Sequence, residues 1–97
     1  MAVFSGNSAT SATSTAYDIP KKIKSLSLVN KTGGAITVNA SIFYGSTNIW
    51  ITPYEHPLAA NQGYFDDKEI IIPAGYQIYV LVSGSTDYYF TLTDVNL

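Results

Sequence analysis

His56 is the only histidine in the chain, so proton transfer near neutral pH would have to begin there. A nucleophilic relay needs a hydroxyl or thiol, a base and an orienting carboxylate in contact. Glu55 adjoins His56 in sequence, but neighbours in an extended chain point to opposite sides. His56 therefore reads as a loop histidine bonded to water or to backbone. Asp66, Asp67 and Glu69, with Glu55 nearby, offer the oxygen donors that Ca²⁺ takes, yet they lack EF-hand spacing. That stretch, with Lys68 inside it, reads as a solvated acidic turn. No glycine-rich loop opens a helix to cradle phosphate. Carboxylate pairs for glycoside hydrolysis are defined by their separation in space, and a chain of 97 residues has little room for both a substrate cleft and a core. No catalytic, cofactor-binding or metal-ligating residue is assigned, and no enzymatic activity is expected.

The aromatic residues carry more information. Tyr44, Tyr76, Tyr88 and Phe90 share strand faces with aliphatic residues and read as core. Tyr54, Tyr64 and Phe65 fall in an irregular stretch broken by Pro53, Pro57, Asn61 and Gly63. They either cap an open end of the fold or anchor a partner, since Tyr and Trp are enriched at the centres of interfaces. A sugar-binding platform would use the same residues. Val3 and Phe4 are the apolar start of an otherwise polar N-terminus. The candidate partner-binding residues are thus Val3, Phe4, Tyr54, Tyr64 and Phe65.

These residues need a scaffold, and the stretch from Glu69 to Ser83 is its clearest part. Two β-branched runs flank Pro73-Ala74-Gly75, the signature of strand, turn, strand. Pro73 suits position i+1 and Gly75 position i+3 of a type I turn. In the second run Tyr76, Ile78, Val80 and Val82 share one face, and Gln77, Tyr79, Leu81 and Ser83 the other, as in a central strand. Upstream, Lys21 to Asn30 alternates with Leu26 and Leu28 inward. Lys31-Thr32-Gly33-Gly34 reads as a hairpin turn into Ala35 to Tyr44. Thr47 to Thr52 is a short strand, residues 53–67 are irregular, and Tyr88 to Thr93 is the last strand. Ser5 to Ala16 contains only Ser, Gly, Asn, Ala and Thr. That composition offers no core of its own, so residues 1–16 read as an extended arm ordered by another surface.

Short strands with turn chemistry between them and no amphipathic helix indicate an all-β fold. The expectation is a single antiparallel β-sandwich or jelly-roll-like barrel of about six to eight strands over residues 17–97, preceded by the arm.

Composition narrows the function classes. Charged residues make up 12%, against a usual share of about 25%. A surface so poor in charge suits a protein covered by neighbours. The chain has no Arg and a net charge of −2, which argues against a nucleic-acid partner. It has no Cys, so neither disulfides nor thiolate zinc sites arise. No apolar run approaches a membrane span of about 18 residues, and the first residues lack the pattern of a secretory signal. Charge is uneven: residues 1–34 carry four lysines against Asp18, net +3, and residues 35–97 carry Lys68 against six carboxylates, net −5. Opposite patches of this kind would favour head-to-tail contacts between copies.

Read along its length, the chain resembles the small all-β virion proteins of tailed bacteriophages. The resemblance rests on four segments covering about residues 17–93. They are the entry Tyr17-Asp18-Ile19-Pro20, the strand and turn from Leu26 to Gly34, Ile72-Pro73-Ala74-Gly75 leading into a strand, and the closing strand from Tyr88. It implies a structural role with no catalytic residues: capsid decoration or cement first, or a neck, tail or fibre-associated subunit. The implied partners are other virion proteins, above all the major capsid protein, and further copies of this chain in a homo-oligomer. The implied location is the virion, assembled in the host cytoplasm.

Overall fold

The computed structural model describes residues 2–67 and 69–95. Met1 of the expected arm, Lys68 of the acidic turn, and residues 96 and 97 lie outside the described residues. Ten strands follow one another: β1 (Ala2–Ser8), β2 (Ser11–Thr13), β3 (Lys21–Asn30), β4 (Ile36–Tyr44), β5 (Thr47–Trp50), β6 (His56–Leu58), β7 (Gly63–Asp66), β8 (Ile70–Ile72), β9 (Gln77–Val82) and β10 (Thr86–Asp94). No helix occurs among the described residues. The strands form two antiparallel sheets packed face to face. The first has the order β1-β10-β3-β7, with β8 also on β3; the second has the order β2-β9-β4-β5, with β6 also on β4.

The split strands explain the count. β7 and β8 lie end to end along one edge of β3, and β5 and β6 along one edge of β4. Taken as single units, they leave eight positions with nested pairing: β1 with β10, β2 with β9, β3 with β7 and β8, β4 with β5 and β6. Folding that ribbon over adds β10 to β3 and β9 to β4. The result is a double-sheet jelly roll, open at its edges and not a closed barrel.

Three local features differ from what the sequence predicts. Lys31 to Gly34 and Pro73 to Gly75 are not hairpin turns, because each carries the chain from one sheet to the other. Turn residues set how sharply the backbone reverses, not which strand it then pairs with. The Tyr76 amide donates to the Pro73 carbonyl at 3.1 Å, and Gly75 has φ of 90°. Gly75 is therefore at i+2 of a type II turn, where positive φ is required, and not at i+3 of type I. The stretch 53–67 is also more regular than expected, since it supplies β6 and β7.

The expected arm is part of the sandwich. β1 pairs with β10 from Ala2↔Leu92 to Ser8↔Thr86, and β2 pairs with β9. Its small polar residues need no core of their own, because backbone pairing holds them, and Phe4 and Ala12 pack on the core. The boundary at residue 16 thus falls between two strands of one fold and its third.

The core lies between the sheets. Ile78, Val80 and Val82 of β9 face Leu28, Phe90 and Leu92, with Ile36, Val38, Ala40 and Ile42 beside them. Alternation in β3 breaks once: Ile23 and Leu26, three apart, are both buried. The register with β10 shifts there, Ile23 facing Leu92 and Ser25 facing Thr91, so Lys24 is the extra residue of a bulge. At the β3–β4 corner Asn30 is wholly buried. Its amide donates to the carbonyls of Gly34 (2.8 Å) and Ala59 (2.9 Å), and its Oδ1 accepts from the amide and hydroxyl of Thr32.

Candidate interaction surfaces

Residues that point away from the core form two broad outer faces. On the first sheet, Tyr89 of β10 faces Ser27 of β3, which faces Phe65 of β7. Period-two alternation turns all three outward, because Leu28, Phe90 and Tyr64 turn inward. Phe65 is 72% exposed and Tyr89 48%. Between them runs an open groove of about 480 Å³, lined also by Ser25, Ser27 and the 66–67 segment. The hydroxyls of Ser25 and Thr91 bond across the strands at 2.8 Å. Val3 and Ile71 extend the same face toward its two edges and are about half exposed.

On the second sheet, Trp50 and Tyr54 meet edge to face with centroids 5.0 Å apart, and Phe43 and Tyr79 do so at 6.0 Å. Phe43, Asn48 and Tyr79 line a shallow depression of about 280 Å³. Register sets Ser41 between Trp50 and Tyr79. Ser41 is fully buried, and among the described residues its Oγ is the one buried side-chain polar atom without a partner. The edge of β4 between β5 and β6 is completed by the 51–55 loop. Thr52 Oγ1 accepts from the Ala40 amide at 3.0 Å, and the Ile51 amide donates to the Ala40 carbonyl at 2.8 Å. Glu55 adopts φ of 52° as its amide donates to Asn39 Oδ1. These bonds hold Tyr54 outward, 62% exposed.

The five residues expected to bind a partner do not form one patch. Val3 and Phe65 share the first outer face, and Tyr54 stands beside the second. Phe4 turns inward, its ring 4.9 Å from Tyr88 and 5.8 Å from Phe90. Tyr64 also turns inward, edge to face with His56 at 4.8 Å. Burial, and then the Asp66 carboxylate, push the Tyr64 phenol above its ordinary value. His56 is consequently a strand residue packed on an aromatic ring, and not a loop histidine. Sequence reading missed Tyr89, Trp50, Leu81 and Ile71 as exposed residues. The signal for Tyr89 and Leu81 was available, since each falls on the strand face opposite the buried residues.

The charges are also rearranged by folding. Lys22 and Lys24 reach Glu69 at 3.0 and 3.1 Å, Lys21 pairs with Asp94, and Lys31 approaches Asp87 at 3.9 Å. Every lysine of the basic segment thereby meets a carboxylate of the acidic one. The basic patch inferred from sequence is thereby paired within the molecule, which weakens the argument for head-to-tail contacts. The lysines hold the Glu69 and Asp94 carboxyls below the usual carboxylate range, chiefly through hydrogen bonds. Among the described residues no group of three His, Cys, Asp or Glu is placed to hold a metal ion, and no helix is long and apolar enough to cross a membrane. No protein-family model, curated protein or solved structure matches the chain.

Proposed function

We propose that this protein is a structural component of a bacteriophage virion that works by contact, in the first place a capsid decoration or cement protein. The observation that supports this is the distribution of exposed apolar side chains. Val3, Phe65, Ile71 and Tyr89 on one face, and Trp50, Tyr54 and Leu81 on the other, stand on broad sheet surfaces. Apolar surface spread over two opposite faces suits a subunit held between neighbours. The major capsid protein is the first partner of this role, and binding only to the assembled shell would stabilise that shell by mass action. Jelly rolls recur in viral capsid proteins and in lectins, which is an analogy of fold and not of site. Quantitative mass spectrometry of purified particles tests the role. Many copies per particle fit decoration, a single ring's worth fits a neck or tail subunit, and absence from the particle overturns both.

A second reading has its own observation. The groove between Phe65 and Tyr89 combines two exposed rings, two serines and the Asp67 carboxylate, which is the chemistry of a carbohydrate site. Binding on a glycan array, lost in Phe65→Ala and Tyr89→Ala, would favour that reading.

A further inference from the structure

Each sheet ends in two edges, and three of the four are blunted. The β2 edge is three residues long. The β5–β6 edge is interrupted by the 51–55 loop and contains Pro57. The β7–β8 edge is interrupted between Asp66 and Ile70 and bordered by Asp67 and Glu69. These are the usual devices against edge-to-edge association. β1 has none of them. Its seven residues, Ala-Val-Phe-Ser-Gly-Asn-Ser, contain no charge and no proline, and the register with β10 runs unbroken along all seven. One side of β1 faces β10; among the described residues nothing pairs with the other side.

The sequence of β1 is compatible with itself. Antiparallel pairing about a two-fold axis at Ser5 sets Ser5 opposite Ser5 of a second copy, Val3 opposite Asn7, and Phe4 opposite Gly6. No like charges meet. Gly6 is also where Tyr88 leans across the strand: a Cβ at Gly6 would lie 2.8 Å from the Tyr88 hydroxyl. The Tyr88 ring therefore lies over Gly6 on the inner side of β1, and Phe4 of the second copy would arrive opposite that residue. The aromatic row from Phe90 through Phe4 and Tyr88 would continue across the axis. A two-fold contact uses the open edge of both copies and leaves none exposed, so it closes.

We propose that β1 is a self-association edge, through which two copies pair β1 to β1 about a two-fold axis at Ser5 and join their first sheets into one. This deepens the reading above, in which the chain works by contact with its neighbours, and takes a second copy as one of those neighbours.

The absence of cysteine makes a direct test available. Ser5 is exposed on the outer face, and directly opposed residues have Cβ atoms about 4.5–5.5 Å apart, close to disulfide reach. Under mild oxidation Ser5→Cys is expected to give a covalent dimer. Ser8→Cys is expected to give none, because its two copies would lie about 20 Å apart along the paired strands. By light scattering the unmodified chain is expected at twice its 10.5 kDa. Ser5→Lys, which opposes two like charges at the axis, is expected to return it to monomer with its strand circular dichroism unchanged. Thr13→Lys on β2 is the control and is expected to remain dimeric. A monomeric wild-type chain, a dimer that Ser5→Cys does not cross-link, or a Ser5→Lys dimer would each overturn the proposal. Those outcomes leave the particle measurement untouched, and absence from the particle leaves the dimer untouched, so the two failures are distinguishable.

Discussion

Asn30 does for the β3–β4 corner what no apolar residue could. It terminates carbonyls from two separate segments, at Gly34 and Ala59, while its own Oδ1 fixes Thr32. Asn30→Ala leaves those buried groups unpaired and is expected to cost about 3 kcal/mol, measured by urea unfolding. Asn30→Asp keeps the acceptor but turns oxygen toward the carbonyls, so it is expected to be destabilising as well; a neutral Asp variant would show that the amide donors do not matter. Glu69 gives a pH-dependent expectation. Its carboxyl is held below its ordinary value of 4.5 by Lys22 and Lys24. The contribution is complete above that ordinary value and is lost as pH falls through the lowered one. Glu69→Gln is therefore expected to flatten part of the acid limb of the urea-midpoint profile and to leave the neutral limb's slope unchanged. The pair is exposed, so added salt should shrink the difference.

At the scale of elements, the N-terminal strands matter most for experiment. Deleting residues 1–16 removes β1 and β2 and uncovers the edges of β10 and β9 together with the Phe4 contacts to Tyr88 and Phe90. The expected loss is about 3 kcal/mol, the scale of removing one aromatic from a core, which for a chain of this size lowers the melting temperature by about 12–24 °C. A truncated protein that melts with the full chain would show that the two strands add nothing. These strands were hard to read because Ser, Gly, Asn and Thr announce themselves only through backbone pairing, which has no side-chain period. β9 was easy for the opposite reason: Ile78, Val80 and Val82 alternate with Gln77, Tyr79 and Leu81, and one-sided burial forces that pattern. The corners at Lys31 and Pro73 were half legible, as bends whose destinations depend on residues far along the chain. The candidate surface was less legible still. Phe4 and Phe65 have the same side chain, and only the register of their strands decides that one is inside and the other out.

At the scale of the whole molecule, folding pairs Lys21, Lys22, Lys24 and Lys31 with carboxylates and leaves apolar side chains exposed on two outer faces. Replacing Phe65 by Ser and Trp50 by Ser tests the faces separately without touching the core. Phe65→Ser is expected to change stability by no more than about 0.5 kcal/mol, as surface changes do, and Trp50→Ser to cost about 1 kcal/mol because Trp50 also packs edge to face on Tyr54. On the proposal that the chain decorates a shell, occupancy on purified shells should fall about tenfold for whichever face makes the contact, the effect of losing one interface anchor of about 1.4 kcal/mol. Equal occupancy for both variants would place the contact elsewhere.

The nesting of the strands also dictates an order of events. β4 and β5 are joined by the two-residue turn Gly45-Ser46 and close at once, on the microsecond scale of hairpins. Each further pair encloses the one before, until Ala2 must find Leu92 across almost the entire chain. Pairings so distant in sequence make folding slow. Ile42→Val, within the innermost ribbon, is thus expected to slow refolding in stopped-flow experiments, whereas Phe4→Leu is expected to leave refolding alone and hasten unfolding. On the ribosome β1 emerges before the other nine described strands and waits for its partner until β10 has been made. A half-made chain therefore has no ordered β1 edge to offer. The strand that other copies would recognise is finished only when the rest of the molecule is, so that competence to assemble becomes a report that folding is complete.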